Sequence, residues 1–141
     1  MKLERNLFYV LLSEVLFTIL PLIVITIVRS YQNQAELIFY NTEWAMMAII
    51  LFGQSIVKFS SGVANSNLKF RWQLVSLIMS LIIIFGLIPS IIILIINLLN
   101  NDPNFGLHIA QMSLFIISII TFFIIGYVGQ KLIDGKKSTN S

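Results

Sequence analysis

Two side chains of opposite charge, Glu14 and Lys58, interrupt the apolar stretches of this chain of 141 residues. A charged side chain at the centre of a bilayer costs on the order of 2.5–3.5 kcal/mol, so each needs a partner, a proton or a function. At 1.5 Å per helical residue, both lie about 10 Å from the same membrane face. We therefore predict an ion pair of structural or gating role, within one subunit or across an oligomer interface. The alternative is a protonated Glu14 and a Lys58 that extends to the lipid headgroups.

Other residues able to do chemistry are scarce. The chain has no cysteine and one histidine, His108, which lies near Asp102 and could change protonation in a gate or simply be an interfacial residue. The sequence has no HExxH motif and no glycine-rich phosphate loop. The serines Ser60 and Ser61 are expected on the opposite membrane side from His108. We therefore predict a protein that is not an enzyme and that needs no metal or cofactor.

The composition requires a membrane fold. Hydrophobic residues make up 57% of the chain and charged residues 11%, and the mean hydropathy is +0.92; a soluble domain has more charge. We predict an all-α integral membrane protein, a single four-helix domain with spans at about 7–28, 44–64, 72–99 and 107–129. The first apolar run is longer than the core of a signal peptide and is expected to be retained. The long third run predicts tilt, a kink at Pro89 or a projecting end, and residues 130–141 are expected to form a short basic cytoplasmic tail that frays.

The basic residues give the predicted orientation. Only Arg29 falls on one side of the four spans; the other side has Lys2, Arg5, Lys58, Lys69, Arg71, Lys131, Lys136 and Lys137. The positive-inside rule then places both termini in the cytoplasm. The net charge of +3 is explained by this orientation, so we expect no direct binding of nucleic acid.

Polar side chains recur within the spans. At about 100° per residue, those of the third span are predicted to share one face, and the second and fourth spans have similar faces. Such faces serve either helix packing or the lining of a water-filled path. Polar faces on all four spans are more than one small bundle needs for its own interior, so we predict a homo-oligomer. The candidate pore-lining or interface residues are Gln54, Ser76, Ser80, Ser90, Asn97, Gln111 and Ser118.

The segment Leu12–Thr18, Leu-Ser-Glu-Val-Leu-Phe-Thr, resembles the first helix of the small multidrug resistance exporters. The resemblance implies that Glu14 binds a proton and a cationic drug in turn, with Thr18 one helical turn further on. The chain departs from that family in its longer loops and in Lys58, whose charge opposes a cation at Glu14. A proton-coupled exporter is therefore the alternative function.

In its whole layout of four spans and little soluble mass, the chain resembles small membrane subunits of bacterial anti-phage defence systems, such as the Kiwa membrane subunit and the RexB-type exclusion channel. The resemblance is one of architecture and transfers no residues. It implies an anchor, sensor or channel-like effector with the lipid bilayer and a soluble cytoplasmic protein as partners. The surface predicted to dock that protein consists of Lys69, Arg71, Lys131, Lys136 and Lys137. Anionic headgroups, at about 1 kcal/mol per basic residue, are the alternative contact.

Overall fold

The computed structural model describes residues 2–66, 69, 72–100, 102 and 104–139, with side chains between residues 5 and 134, and all regular structure in these ranges is helical. The elements are α1 (Lys2–Tyr31), a 3-10 turn (Ala35–Ile38), α2 (Glu43–Asn65), α3 (Trp72–Ile82), a π-helical turn (Ile83–Leu87), α4 (Ile88–Leu99) and α5 (Phe105–Thr139). The α3 helix, the π-helical turn and α4 follow one another without a break and form the third span.

Four stretches are long and apolar enough to cross a membrane: Arg5–Tyr31, Ala35–Asn65, Trp72–Leu99 and Phe105–Asp134. The predicted all-α class with four long apolar helices is confirmed. The last helix extends beyond the predicted span, because α5 continues through Thr139 and includes most of the expected tail. Gly129 does not end it, since this glycine is buried against α2.

The α2 helix is the central element of the bundle. It contacts α1, α5 and all three parts of the third span. The core around it is filled by large apolar side chains that are almost completely buried, among them Leu11, Leu51, Phe52 and Phe122. Large apolar side chains also cover the outside of the bundle, where Phe17 and Leu99 are each 77% exposed. An apolar core with an equally apolar surface is the pattern expected of helices packed in lipid.

The α2 and α5 helices approach most closely at two buried glycines, Gly62 and Gly129. A Cβ atom added at Gly62 would lie 2.5 Å from the carbonyl oxygen of Gly129. A Cβ atom at Gly129 would in turn meet the backbone of Lys58. Small residues at a helix crossing allow the two backbones to come this close. This contact therefore fixes the position of α5 along α2.

The third span is interrupted at the turn before Pro89. Proline has no N–H group, and its ring disfavours the regular hydrogen bond to the preceding turn. The chain adopts the wider π-helical turn at this point, and Ser90 Oγ donates to the Gly86 carbonyl at 2.7 Å. Gly86 also receives the ring of Phe52, which would lie 2.6 Å from a Cβ atom there. The interruption thus opens a place for a core aromatic residue of α2.

The prediction of one polar face along the third span is wrong. Ser76 and Ser80 are exposed, Asn97 is half-buried and Ser90 is fully buried. A π-helical turn accommodates an extra residue, which changes the direction of every side chain after it relative to a continuous α-helix. The serines before the turn therefore face outward, and the polar residues after it face α2 and α5.

The start of α1 and the end of α5 lie at one end of the bundle. The rings of Phe8 in α1 and Phe123 in α5 stack with their centroids 5.8 Å apart, and Leu11 packs beside Gly126. We call this the termini end, which also includes the end of α2 and the start of α3. The opposite end holds the connector between α1 and α2, residues 32–42, and the start of α5.

We predict that Gly62→Ala lowers the stability of the purified protein by about 1–3 kcal/mol, because the added methyl group meets the α5 backbone. The measurement is the melting temperature in mild detergent. Gly53→Ala is the matched control in the same helix, since its Cβ atom would meet no side chain and no neighbouring helix within 4 Å. Equal melting temperatures for the two variants would contradict the importance of the close helix contact.

Candidate functional site

Charged and amide groups from three helices meet near the termini end. Lys58 Nζ lies 2.9 Å from Glu14 Oε2 and donates to Glu14 Oε1 at 3.0 Å. It also donates to Gln130 Oε1 at 3.2 Å, and Gln130 Nε2 donates to Asp134 Oδ1 at 3.4 Å. We call Glu14, Lys58, Gln130 and Asp134 the Lys58 cluster. It links α1, α2 and α5.

The ion pair between Glu14 and Lys58 forms within one chain. The lysine stem passes Gly126, where an added Cβ atom would lie 3.5 Å from Lys58 Cδ. The Lys58 side chain is 16% exposed and that of Glu14 is 37% exposed. The pair is therefore closed off on the side of α5 and open on the side of α1.

Two members of the Lys58 cluster, Gln130 and Asp134, were missed by the sequence analysis because they follow the predicted end of the fourth span. Their spacing of four residues, which places two side chains on one helical face, was the available signal. The helix has to continue past Gly129 for this spacing to matter. The structure shows that it does.

A groove of about 670 Å³ lies on the outside of the bundle between α1 and α2, beside the ion pair. Within it, Gln54 Nε2 donates to Thr18 Oγ1 at 3.4 Å. Gln54 Oε1 is buried and has no hydrogen-bond partner among the described residues. The lining residues, which define the α1/α2 groove, are Glu14, Phe17, Thr18, Ile50, Gly53, Gln54, Val57 and Lys58.

A second polar cluster is centred on Gln111 at the opposite end. Gln111 is fully buried. Its Nε2 donates to the carbonyl oxygens of Asn41 at 3.0 Å and Phe39 at 3.2 Å, and its Oε1 accepts from Asn97 Nδ2 at 2.9 Å. His108 Nδ1 lies 3.1 Å from the same Nε2. We call Asn97, His108 and Gln111 the Gln111 cluster. It joins α4, α5 and the connector 32–42.

The connector is also held from α1 and α2. Trp44 Nε1 donates to the Ile38 carbonyl at 2.8 Å, and an Arg29 guanidinium nitrogen donates to the Leu37 carbonyl at 3.3 Å. The Tyr40 and His108 rings meet edge to face with their centroids 4.5 Å apart. The buried His108 lines a cavity of about 350 Å³ together with Asp102. The connector is therefore a packed part of the bundle.

The seven candidate lining residues do not meet in one passage. Gln54 lies in the α1/α2 groove, and Asn97 and Gln111 belong to the Gln111 cluster. Ser90 and Ser118 are buried and donate to carbonyls of their own helices, Gly86 at 2.7 Å and Phe115 at 2.6 Å. A continuous polar path through the described part of one chain is therefore not formed by this set.

The predicted basic docking surface is described in part. Lys69 and Lys131 are exposed, and Lys131 Nζ lies 5.9 Å from the centre of the Tyr127 ring. Both belong to the termini end. Arg71 and the side chains of Lys136 and Lys137 lie outside the described residues.

Comparison of the chain with protein-family models, with curated proteins and with solved structures gave no match. Among the described residues, no three side chains of the types that usually bind metals come together in a group that could hold an ion. The candidate sites among the described residues are thus the ion pair, the α1/α2 groove and the Gln111 cluster. All three can bind or fix neighbouring segments by hydrogen bonds and charge.

We predict that the double variant Glu14→Gln/Lys58→Met loses less stability than the sum of the losses of the two single variants. Either change leaves one charge without its opposite, whereas the double variant removes both charges. We expect a coupling energy of about 0.5–3 kcal/mol from the melting temperatures or denaturant midpoints of the four proteins. Lys131→Met, at an exposed lysine of α5, is the control. Strictly additive losses would show that the pair contributes nothing to the fold.

We predict that Gln111→Leu loosens the connector 32–42. The change leaves the carbonyl groups of Phe39 and Asn41 without this donor, at a cost of about 1–3 kcal/mol for a buried group. The readout is faster cleavage of the connector in limited proteolysis. Ser113→Ala, at an exposed position of the same helix, should leave the cleavage rate unchanged. A Gln111→Leu protein as resistant as the parent would refute the role of Gln111.

Proposed function

We propose that this chain is a non-enzymatic membrane subunit that acts by assembly with other protein subunits. The observation that supports this proposal most directly is the filled interior of the bundle. Its core is occupied by Leu11, Leu51, Phe52 and Phe122, so a water-filled path is more readily built between chains than through one chain.

The concentration of the chain in four long apolar helices also favours a function in assembly. The three connectors between the long helices are short, and little surface outside the four apolar helices is available for binding a soluble substrate. Sensing or catalysis then belongs to a partner. The chain contributes an anchor, a sensor in the bilayer or a channel-like effector.

Within this proposal, the partners are further copies of the chain, the lipid bilayer and a soluble cytoplasmic protein. The bacterial inner membrane is the proposed location, with both termini in the cytoplasm. The proposed orientation is supported by the basic residues at the termini end, including the exposed Lys69 and Lys131. A role in antiviral defence is supported by the resemblance in layout to four-span subunits of anti-phage systems.

A proton-coupled exporter is the second candidate function. It is favoured by the α1/α2 groove, which opens sideways and exposes 37% of the Glu14 side chain. The Lys58 ammonium weakens this candidate, since its positive charge, 2.9 Å from Glu14 Oε2, opposes the binding of a transported cation there. Export by this route requires the ion pair to open in each cycle.

The deciding experiment is purification of the chain in mild detergent from cells that express the natural operon, followed by mass determination of the intact complex. We expect a homo-oligomer in stoichiometric association with a soluble protein. An isolated dimer that releases protons on binding hydrophobic cations would overturn the proposal in favour of the exporter. Lys69→Ala combined with Lys131→Ala should reduce recovery of the soluble partner, with Ser113→Ala as the control.

A further inference from the structure

The α1/α2 groove is polar at one end and apolar at the other. Glu14 and Lys58 lie nearest the termini end, and Thr18 and Gln54 follow one helical turn further into the bundle. Ile50 comes a further turn along α2. Phe17 and Val57 form exposed rims, at 77% and 62% exposure. The order along the groove, from charge to amide to hydrocarbon, matches the order of groups along a phospholipid.

The level of the ion pair fits a lipid headgroup. Lys58 bonds to Gln130, the residue directly before the exposed Lys131, and Gln130 bonds to Asp134. A stretch containing Lys131 and Asp134 belongs near the polar boundary of a bilayer, because charged groups avoid the hydrocarbon. The polar end of the groove therefore faces that boundary, and its other end extends toward the level of the acyl chains.

The charges of the groove select the class of headgroup. A carboxylate and an ammonium lie side by side, and their charges sum to zero. A purely anionic headgroup is therefore repelled by Glu14, and a purely cationic ligand is repelled by Lys58. A zwitterion satisfies both, with its ammonium against Glu14 and its phosphate against Lys58. Charge-assisted hydrogen bonds to a carboxylate require N–H donors, which a primary amine has and a trimethylated amine lacks.

We propose that the α1/α2 groove binds a phospholipid with a zwitterionic primary-amine headgroup, such as phosphatidylethanolamine. The ester region of the lipid lies beside Thr18 and Gln54, where an ester carbonyl accepts from the Gln54 amide nitrogen, which donates one of its two hydrogens to Thr18. The first part of an acyl chain lies beyond them, against Ile50, and the exposed Phe17 and Val57 flank the polar part of the groove. This site is independent of the soluble partner proposed above, since the groove is on the outside of the bundle between α1 and α2.

The test measures the melting temperature of the delipidated protein in detergent with phosphatidylethanolamine, phosphatidylcholine or phosphatidylglycerol added at equal concentration. We expect phosphatidylethanolamine to raise the melting temperature by a few degrees more than the other two lipids. Native mass spectrometry should show one retained molecule of that lipid per chain. Equal shifts with phosphatidylethanolamine and phosphatidylcholine would overturn the proposal, as would a larger shift with phosphatidylglycerol.

Two variants separate the proposed site from general lipid effects. Glu14→Gln removes the carboxylate and should abolish the preference, whereas Ser13→Ala, at the exposed neighbouring position, should retain it. If Glu14→Gln does not fold, Gly53→Leu decides the matter. It places a side chain into the groove at a position with free space while retaining the ion pair, so the preference should be lost.

The remaining occupant of the groove is a second copy of the chain. In a protein that retains Gly53, cysteines introduced in place of Phe17 and Val57 would then cross-link between chains in the absence of lipid. Added phosphatidylethanolamine would have no specific effect on the melting temperature. That outcome would overturn the lipid site and would leave the proposed assembly function intact. Conversely, failure to recover any soluble partner would not affect the lipid preference.

Discussion

The close contact of α2 with α5 at Gly62 and Gly129 is the constraint on which the rest of this structure depends. Two helix backbones in direct contact cannot slide past one another without a clash, so their register is fixed. In that register Gly126 leaves room for the stem of Lys58, and Gln130 reaches its ammonium. The position of Lys58 in turn decides where Glu14, and with it α1, is bound.

At both ends of the bundle, polar groups find their hydrogen-bond partners within the protein. In an apolar environment a buried donor or acceptor has no water to bind, so its partner must come from the protein. At the termini end an ion pair and an amide satisfy one another across three helices. At the opposite end Gln111 donates to the carbonyl groups of Phe39 and Asn41 in the connector 32–42 and accepts from Asn97. The bundle is thus tied by polar contacts at its ends and by apolar packing between them.

The α1/α2 groove is the exception, because its polar groups are not all satisfied within the described part of the bundle. It leaves part of Glu14 exposed and one oxygen of Gln54 without a partner among the described residues. Such unfinished polar surface on the outside of an apolar bundle implies that something else completes it. The proposed zwitterionic lipid would place its ammonium against Glu14 and its phosphate against Lys58, and the proposed assembly would use the remaining surfaces.

The sequence by itself determined the class and the number of long helices, because hydropathy over a span is a sum that does not depend on packing. It also placed Glu14 and Lys58 at one level, because the rise per residue of a helix is constant. It could not give the direction of the polar residues in the third span, because a proline can be accommodated by a kink of the helix or by a π-helical turn, and only the turn adds a residue. Only the tertiary structure could show that Gln130 belongs to the Lys58 cluster and that Gln111 holds the connector. Such contacts are set by helix register and rotation, which arise from close packing between distant parts of the chain.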